Sequence, residues 1–214
     1  MGLFRKRRVR YDSSRAPARL HIGCGQQAIP GWINIDNQGL PGVDQVLDVR
    51  KGLPFAEVAA IYAEHFLEHL ALEDGLAFLA ECRRVLKPDG VLRLSTPNLE
   101  WVLTTHYRWR DVTPENRLDD CMKLNRAFQG WGHRFLYNRE TLEAAVRAAG
   151  FARGSFFKYG ESDNAELRGL ERHETWDDVP DLPHVLVVEA SGAAKPEPIP
   201  APLLREFREA LAAR

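Results

Sequence analysis

Two neighbouring segments decide the fold: Leu20-His21-Ile22-Gly23-Cys24-Gly25 and Pro30-Gly31-Trp32-Ile33-Asn34-Ile35-Asp36. They predict a buried strand, a glycine turn and a second strand that ends in a carboxylate. Glycines at 23 and 25 permit a tight turn and let a ligand approach the backbone closely. A carboxylate at the end of the second strand can accept hydrogen bonds from ribose hydroxyls. The stretch therefore predicts a site for a ligand that carries a nucleoside.

Other interpretations of this stretch stay open from the residues alone. Two glycines one residue apart also occur in many ordinary turns. The dinucleotide fingerprint needs a helix after the glycines and an acid about 20 residues further on, and Asp36 follows much sooner, which disfavours NAD. Parallel strands usually need a crossover of about a dozen residues or more. The short connection therefore also permits an antiparallel hairpin.

Further motifs follow in order, and together they carry a family resemblance. They comprise Asp44-Gln45-Val46-Leu47-Asp48-Val49, Leu53-Pro54-Phe55, the apolar run at 58–63, His65-Phe66-Leu67-Glu68-His69, residues 82–90, residues 91–98 and residues 137–151. Residues 20–189 as an ordered set resemble class I S-adenosylmethionine-dependent methyltransferases, especially small bacterial ones with a shortened first connection. The resemblance implies an α/β, single-domain, Rossmann-like fold, with a mostly parallel seven-stranded sheet and helices on both faces. It implies S-adenosylmethionine as cofactor and S-adenosylhomocysteine as product.

The same resemblance assigns roles to individual residues. Gly23 and Gly25 would line the methionine end of the cofactor, Asp36 would bind its ribose, and Asp48 would lie near the adenine amino group. Residues 64–66 would wall the sulfonium. The cofactor-binding residues so predicted are Gly23, Cys24, Gly25, Asp36, Asn37, Asp48, Val49, His65 and Phe66. Two departures from the family pattern are Ala28, where a third glycine is usual, and His21, where many relatives carry an acid.

Composition excludes several other classes. The chain has 214 residues, of which 44% are hydrophobic, enough for one domain with a sizeable core. Its net charge of −1 provides no field that would favour nucleic acid, so a nucleic-acid partner is not expected. The 3 cysteines are scattered and odd in number, as in reduced cytoplasmic proteins. With no apolar run of about 18 residues and no secretory signal, we expect a soluble cytoplasmic protein.

The chain divides into three predicted parts. Residues 1–17 form a basic flexible tail, 18–190 the methyltransferase domain, and 191–214 an Ala/Pro linker with an amphipathic C-terminal helix. Strands are predicted at 20–23, 32–36, 45–49, 58–63, 91–95, 151–159 and 184–190, and helices at 73–86 and 139–149. The irregular segments 99–134 and 161–183 follow strands, where crevice-lining loops belong. We expect them to bind the acceptor. The basic tail could contact anionic lipid weakly, although short basic tails are usually solvated.

The acceptor and its chemistry are less constrained. A hydroxyl acceptor must lose its proton, and neutral histidine suits that task near physiological pH, so His65 and His133 are the candidate catalytic bases. Either could instead form only structural hydrogen bonds. By analogy, a sugar or glycan-precursor hydroxyl is the leading acceptor, followed by other small molecules. The alternative function is a non-catalytic protein that uses the cofactor fold to bind a partner.

Two metal-binding interpretations also arise at residues 65–69. The pattern His-x-x-Glu-His occurs in inverted zinc peptidases, but here it begins at a strand end among cofactor motifs, which disfavours a peptidase. Some related methyltransferases hold a divalent cation with Glu-x-x-Glu-His and a later histidine. Glu68 and His69 match that pattern, His133 could be the later ligand, and His65 replaces the first glutamate. Imidazole there would shift the preference away from magnesium. Our expectation is a protein without a metal.

Overall fold

The computed structural model describes residues 18–110 and 112–198. The predicted basic tail at 1–17 and most of the predicted C-terminal segment lie outside these residues. The described part contains one seven-stranded sheet. Its strands are β1 (Arg19–Ile22), β2 (Ile33–Asp36), β3 (Gln45–Val46), β4 (Val58–Glu64), β5 (Leu86–Pro97), β6 (Phe151–Phe157) and β7 (Val185–Ala193).

The strand order is β3-β2-β1-β4-β5-β7-β6. The first five strands in this order are parallel, and β7 is antiparallel to both β5 and β6. This confirms the predicted mostly parallel seven-stranded sheet. Because β1 pairs with β2 in parallel, the antiparallel hairpin that the short connection also permitted is wrong.

The side chain of Asn34 shows how so short a connection joins two parallel strands. Its Oδ1 atom accepts a hydrogen bond from the Ile29 amide at 2.8 Å, and its Nδ2 atom donates to the carbonyls of Ile29 and Trp32, both at 3.2 Å. The Nδ2 atom also lies 3.0 Å from Oδ2 of Asp44. Asn34 is buried, and its amide satisfies backbone groups that a crossover helix would otherwise satisfy internally.

Four α-helices accompany the sheet in the described residues: α1 (Leu72–Val85), α2 (Leu99–His106), α3 (Pro114–Asn125) and α4 (Arg139–Ala148). α1 ends just before Pro88, as predicted, because proline cannot continue a helix. α4 begins after Asn138, whose side chain accepts from the Thr141 amide, again as predicted. Buried side chains of both helices belong to the main core. No helix in 18–110 or 112–198 is long and apolar enough to cross a membrane.

Strand β4 separates two apolar clusters because side chains alternate along a strand. Ile61 and Ala63 pack in the main core, whereas Ala60 and Tyr62 pack in a second cluster. The second cluster also contains Ile29, Trp32, Leu167 and Leu170. The segment that contains Leu167 and Leu170 therefore packs onto the central strand β4. This packing positions the residues that follow Leu170.

Several predicted elements differ from the structure, and three of the differences concern β3, β5 and the segment 99–134. β3 ends at Val46 and residues 49–51 form a 3-10 turn, because the Asp48 side chain caps that turn. β5 begins at Leu86, five residues before the predicted start at Val91. The segment 99–134, predicted to be irregular, contains α2, α3 and a π-helical turn, Arg126–Gly130. Periodicity did not predict α3 because its apolar residues do not mark a buried face: Leu118 and Met122 are exposed, and the buried residue is Asp120.

Candidate functional site

Two cavities lie at the carboxyl ends of the parallel strands. The smaller cavity has a volume of about 410 Å³, and the larger about 710 Å³. His65 and His69 line both of them. The smaller cavity is further lined by Ile22, Gly23, Ile35, Asp36, Asn37, Gln38, Leu47, Asp48, Val49, Arg50, Phe66 and Leu70. Of the predicted cofactor-binding residues, all except Cys24 and Gly25 are therefore brought together around this one cavity.

Gly23 is positioned by the backbone turn after β1. Its φ angle is +67°, and a Cβ atom there would lie 2.4 Å from Cδ2 of Phe66. Only glycine therefore fits between the turn and the aromatic ring. Gly25 has a φ of +50° and open space where a Cβ atom would stand. Both glycines supply the positive φ angles of the turn, but only Gly23 also leaves room for a neighbouring side chain, the ring of Phe66.

The Asp36 carboxylate is held at the end of β2 by two backbone amides. Gly25 donates to Oδ2 and Gln38 donates to Oδ1, each at 2.9 Å. A carboxylate offers about four lone-pair positions, so the two amides leave acceptor capacity for a ligand. Asp36 therefore presents a fixed carboxylate to the smaller cavity, as a ribose diol requires.

Asp48 and Cys24 have more constrained environments. The Asp48 carboxylate accepts from Nε and Nη2 of Arg50, both at 2.9 Å, and the hydrogen bond from Arg50 lowers its pKa. Cys24 is buried, and burial raises the pKa of its thiol to about 11, so the thiol is protonated at neutral pH. Asp48 meets the smaller cavity as an ion pair with Arg50, whereas Cys24 packs inside the turn.

The larger cavity is rich in imidazole and indole rings. Its walls include 6 of the 7 histidines of the chain. The lining residues are His65, His69, Pro97, Trp101, Val102, His106, Arg126, Ala127, Trp131, His133, His173, Glu174, Trp176, Asp178 and His184. Both predicted catalytic histidines, His65 and His133, are among them. The aromatic faces suit a flat or ring-shaped ligand.

His65 stands where the two cavities meet. It follows β4 directly and has a φ of +46°, an unusual conformation for a residue with a side chain. Its Nδ1 atom lies 3.1 Å from Oε1 of Glu68, a fully buried carboxylate whose Oε2 accepts from Oγ1 of Thr96 at 3.0 Å. The Nε2 atom of His65 is buried and has no hydrogen-bond partner within the described residues. Glu68 therefore orients the ring and leaves Nε2 for a ligand.

His133 lines the larger cavity but not the smaller one. Its Nδ1 atom lies 2.6 Å from the carbonyl oxygen of Ala127. Burial lowers the pKa of His133, so the ring is neutral near pH 7. Its ring centroid lies 5.1 Å from that of His69. The structure thus places His133 beside His69, with Nδ1 occupied by a carbonyl.

Sequence reasoning missed the connection between Glu64 and the segment at 172–173. The Glu64 carboxylate accepts from the backbone amides of Arg172 and His173, at 2.8 and 3.0 Å, and lies 3.2 Å from Nδ1 of His173. Burial alone would raise the pKa of Glu64, but these hydrogen bonds lower it to about 2. The hydrogen bond to Glu64 raises the pKa of His173. No local motif could reveal this contact, because 109 residues separate the partners.

The tryptophans of the segments 99–134 and 161–183 divide into two groups. Trp101, Trp131 and Trp176 line the larger cavity. Trp101 donates from Nε1 to Asp178 at 2.7 Å, and its ring stacks with that of Trp176 at a centroid distance of 6.1 Å. Trp109 is 75% exposed and contacts Tyr107 instead. His184, which precedes β7, contacts both Trp101 and Trp176, and burial lowers its pKa to about 4.

Comparisons with known proteins agree with this architecture. A family model described as a methyltransferase domain matches residues 10–153. A search of curated proteins found no match. Among solved structures, an S-adenosylmethionine-dependent methyltransferase from Mesorhizobium loti is 18% identical with a TM-score of 0.52, covering 81% of this chain and 90% of that one. A possible histamine N-methyltransferase from Thermotoga maritima is 14% identical with a TM-score of 0.53, covering 83% of each chain.

The methyltransferase SibL, in its apo form, is 15% identical with a TM-score of 0.52, and the match covers 86% of this chain. The chain spans about half the length of SibL. At these identities the likeness concerns the fold. The family match covers more than half of the 214 residues and includes both strands of the glycine turn and the histidines at 65 and 69. The chain belongs to the methyltransferase-domain family.

Proposed function

We propose that the protein transfers a methyl group from S-adenosylmethionine to a hydroxyl group of a small molecule, with a sugar or glycan precursor as the first acceptor to test. One observation carries this proposal. His65 and His69 line both cavities, so the predicted cofactor site and the histidine-rich cavity share a wall. A methyl donor in the smaller cavity and an acceptor in the larger one would therefore be neighbours.

The residues of the smaller cavity fit the cofactor. Asp36 supplies a fixed carboxylate for the ribose, and the turn at Gly23 has no side chain between the backbone and Phe66. Asn37, Asp48 and Val49 would surround the adenosine end. When bound, S-adenosylmethionine supplies an electrophilic methyl group on a positively charged sulfur. The chain's own task is to position the acceptor in line with that carbon, which can provide much of the rate acceleration.

We assign the role of general base to His65, because it lines both cavities whereas His133 lines only the larger one. The acceptor hydroxyl gives its proton to Nε2 of His65 as its oxygen bonds to the methyl carbon. Methyl transfer would release S-adenosylhomocysteine, because the electron pair of the broken carbon–sulfur bond would stay on sulfur. Glu68 holds Nδ1 of His65 and stabilises the imidazolium that forms. A carboxylate has the same function beside the histidine of a serine-protease triad.

The larger cavity supports a ring-bearing acceptor. Its volume of about 710 Å³ is in the range of small-molecule sites. The indole faces of Trp101, Trp131 and Trp176 offer flat apolar surfaces, and the imidazoles offer hydrogen-bond donors and acceptors. A sugar has both an apolar ring face and hydroxyls. Other hydroxylated small molecules of similar size share these properties.

Formation of S-adenosylhomocysteine from S-adenosylmethionine, measured over a panel of sugars, nucleotide sugars and phenols, tests the proposal. His65→Gln should lower kcat by about 10²–10⁴-fold, the usual contribution of a general base. The affinity for S-adenosylhomocysteine should survive in this variant, because His65 acts on the acceptor. Unchanged kcat in His65→Gln would contradict the assignment. Cofactor binding without turnover on any acceptor would favour a binding protein.

A further inference from the structure

We propose that Glu68, His69 and His133 bind a divalent transition-metal ion in the wall of the larger cavity. One ligand atom from each residue lies within 4.8 Å of the other two. Ligands about 2.1 Å from a tetrahedral zinc ion lie about 3.4 Å apart, so small side-chain rotations bring these atoms onto one ion. Glu68 and His69 are adjacent on the 3-10 turn Leu67–His69, and His133 comes from the segment after α3.

The backbone sets the tautomer of both histidines. Nδ1 of His133 lies 2.6 Å from the Ala127 carbonyl, and Nδ1 of His69 lies 3.3 Å from the Gly132 carbonyl. A carbonyl oxygen only accepts, so each Nδ1 carries the proton and each Nε2 has a free lone pair. Metal-binding histidines almost always have such a second partner. Both carbonyls belong to residues 127–132, so a single segment orients both imidazole rings and fixes their tautomers.

Glu68 provides an independent reason for a cation. Its side chain is fully buried, and the side chains bonded to it are His65 and Thr96. In the described part of the chain, no Lys or Arg side chain lies within ion-pair distance of Glu68. A buried carboxylate without a permanent positive partner has lost its hydration without a full electrostatic compensation, which disfavours the folded state. A divalent cation would compensate the charge of Glu68 at the point where two imidazole nitrogens are also available.

The donor set indicates the kind of metal. Two imidazoles and one carboxylate favour zinc, iron(II), cobalt or manganese over magnesium and calcium, which prefer oxygen ligands. Three protein ligands leave at least one position for an exogenous oxygen, as in catalytic sites. His65 does not belong to the cluster whose ligand atoms lie within 4.8 Å of one another. His65 instead orients the carboxylate ligand from outside the metal site.

The role of the ion rests on the proposed function, whereas its binding does not. Because His69 and His133 line the larger cavity, the open position would face an acceptor there. A bound hydroxyl is more acidic on a divalent metal ion, which favours transfer of its proton to His65. Two groups of this chain would then act on the same oxygen: the metal site would lower the pKa of the hydroxyl and His65 would remove the proton.

The test begins with full-length protein freed of metal by chelation. Titration with Co²⁺, followed by its visible absorption, and with Zn²⁺, followed by calorimetry, should show one equivalent bound. His69→Ala and His133→Ala should each weaken binding by more than about tenfold, since even outer-sphere partners of metal ligands contribute that much. His106→Ala is the matched control: it removes another imidazole of the same cavity and should leave metal affinity unchanged.

Two results would overturn the metal site. One is the absence of Co²⁺ or Zn²⁺ binding to the wild-type protein, and the other is binding that both ligand variants leave intact. Calorimetry with S-adenosylhomocysteine on the metal-free protein separates this proposal from the proposed function. Cofactor binding without metal binding defeats only the metal site. Metal binding without cofactor binding defeats only the methyltransferase assignment. Retained thermal unfolding of each variant confirms that it is folded.

Discussion

The carboxylate of Glu64, at the end of the central strand β4, lies 3.2 Å from Nδ1 of His173, although 109 residues separate the two along the chain. The same carboxylate also accepts hydrogen bonds from the backbone amides of Arg172 and His173. The buried carboxylate of Glu64, at the carboxyl end of the central strand, therefore holds the segment that supplies His173, Glu174 and Trp176 to the larger cavity. The cavity wall depends on this contact.

Replacing Glu64 should change both the charge state of His173 and the position of its segment. In Glu64→Gln, the pKa of His173 should fall, because the hydrogen bond that the His173 ring donates to Glu64 is the main cause of its raised value. Acceptor affinity should weaken while cofactor affinity is retained. Proton NMR of the His173 ring, titrated in both proteins, measures the first effect. Glu174→Gln is the control, and a His173 pKa that does not change in Glu64→Gln would contradict the assignment.

The pair also predicts how stability varies with pH. The folded-state pKa of His173 is raised, so its contribution is complete below the unfolded pKa and is lost as the pH rises through the folded value. The pKa of Glu64 is lowered to about 2, so its contribution is present above the unfolded value and is lost as the pH falls toward 2. The free energy of unfolding that Glu64→Gln removes should thus be larger at about pH 5.5 than at about pH 9. Urea unfolding at both pH values checks this, and an equal loss would count against it.

Gly23 and Gly25 should differ in their response to a methyl group. Both have positive φ angles, but only at position 23 would the new Cβ atom collide with Phe66. Gly23→Ala should therefore weaken S-adenosylhomocysteine binding by about tenfold or more, equivalent to about 1.4 kcal/mol. Gly25→Ala, with similar backbone strain and open space, should weaken it less. Calorimetry on both variants decides the matter, and equal affinities would mean that the contact with Phe66 does not shape the site.

Arg93 should be a large contributor to stability. Its side chain is fully buried, with Nε 2.7 Å from Glu171 and Nη1 2.6 Å from Glu189. Arg93→Met leaves two carboxylates without their cation and should lower the free energy of unfolding by about 3–5 kcal/mol. Arg153→Met, at an exposed position of β6, should change it little. Denaturant unfolding of both variants measures the difference, and a loss below about 1 kcal/mol for Arg93→Met would refute this role.

The strands and the smaller cavity were predictable because their signals are local. Glycine at 23, the carboxylate at 36 and the apolar run before His65 each mark a strand end, and parallel strands bring such ends to one edge of a sheet. The parallel pairing of β1 with β2 did not follow from the residues, since it depends on the side chain of Asn34 replacing the usual helix. Family resemblance supplied that part of the prediction.

The larger cavity was predictable only in outline. Its segments were expected to bind the acceptor because they follow strands, but the contacts that shape it join distant residues. Glu64 meets His173, and Trp101 meets Asp178, without any pattern in the intervening sequence. α3 escaped prediction because Leu118 and Met122 are exposed, so its apolar residues do not mark a buried face. The periodicity of apolar residues predicts neither contacts between residues distant in sequence nor a helix without a buried apolar face.

The most direct test of the central claim is calorimetric titration of the purified protein with S-adenosylhomocysteine, beside Asp36→Ala and the exposed control Asp163→Ala. The account predicts saturable, one-to-one binding to the wild-type protein and to the control. Asp36→Ala should bind about 10–100-fold more weakly, since hydrogen bonds to a charged group contribute about 1.5–3 kcal/mol. Absence of binding to the wild-type protein, or equal affinity in Asp36→Ala, would contradict the account.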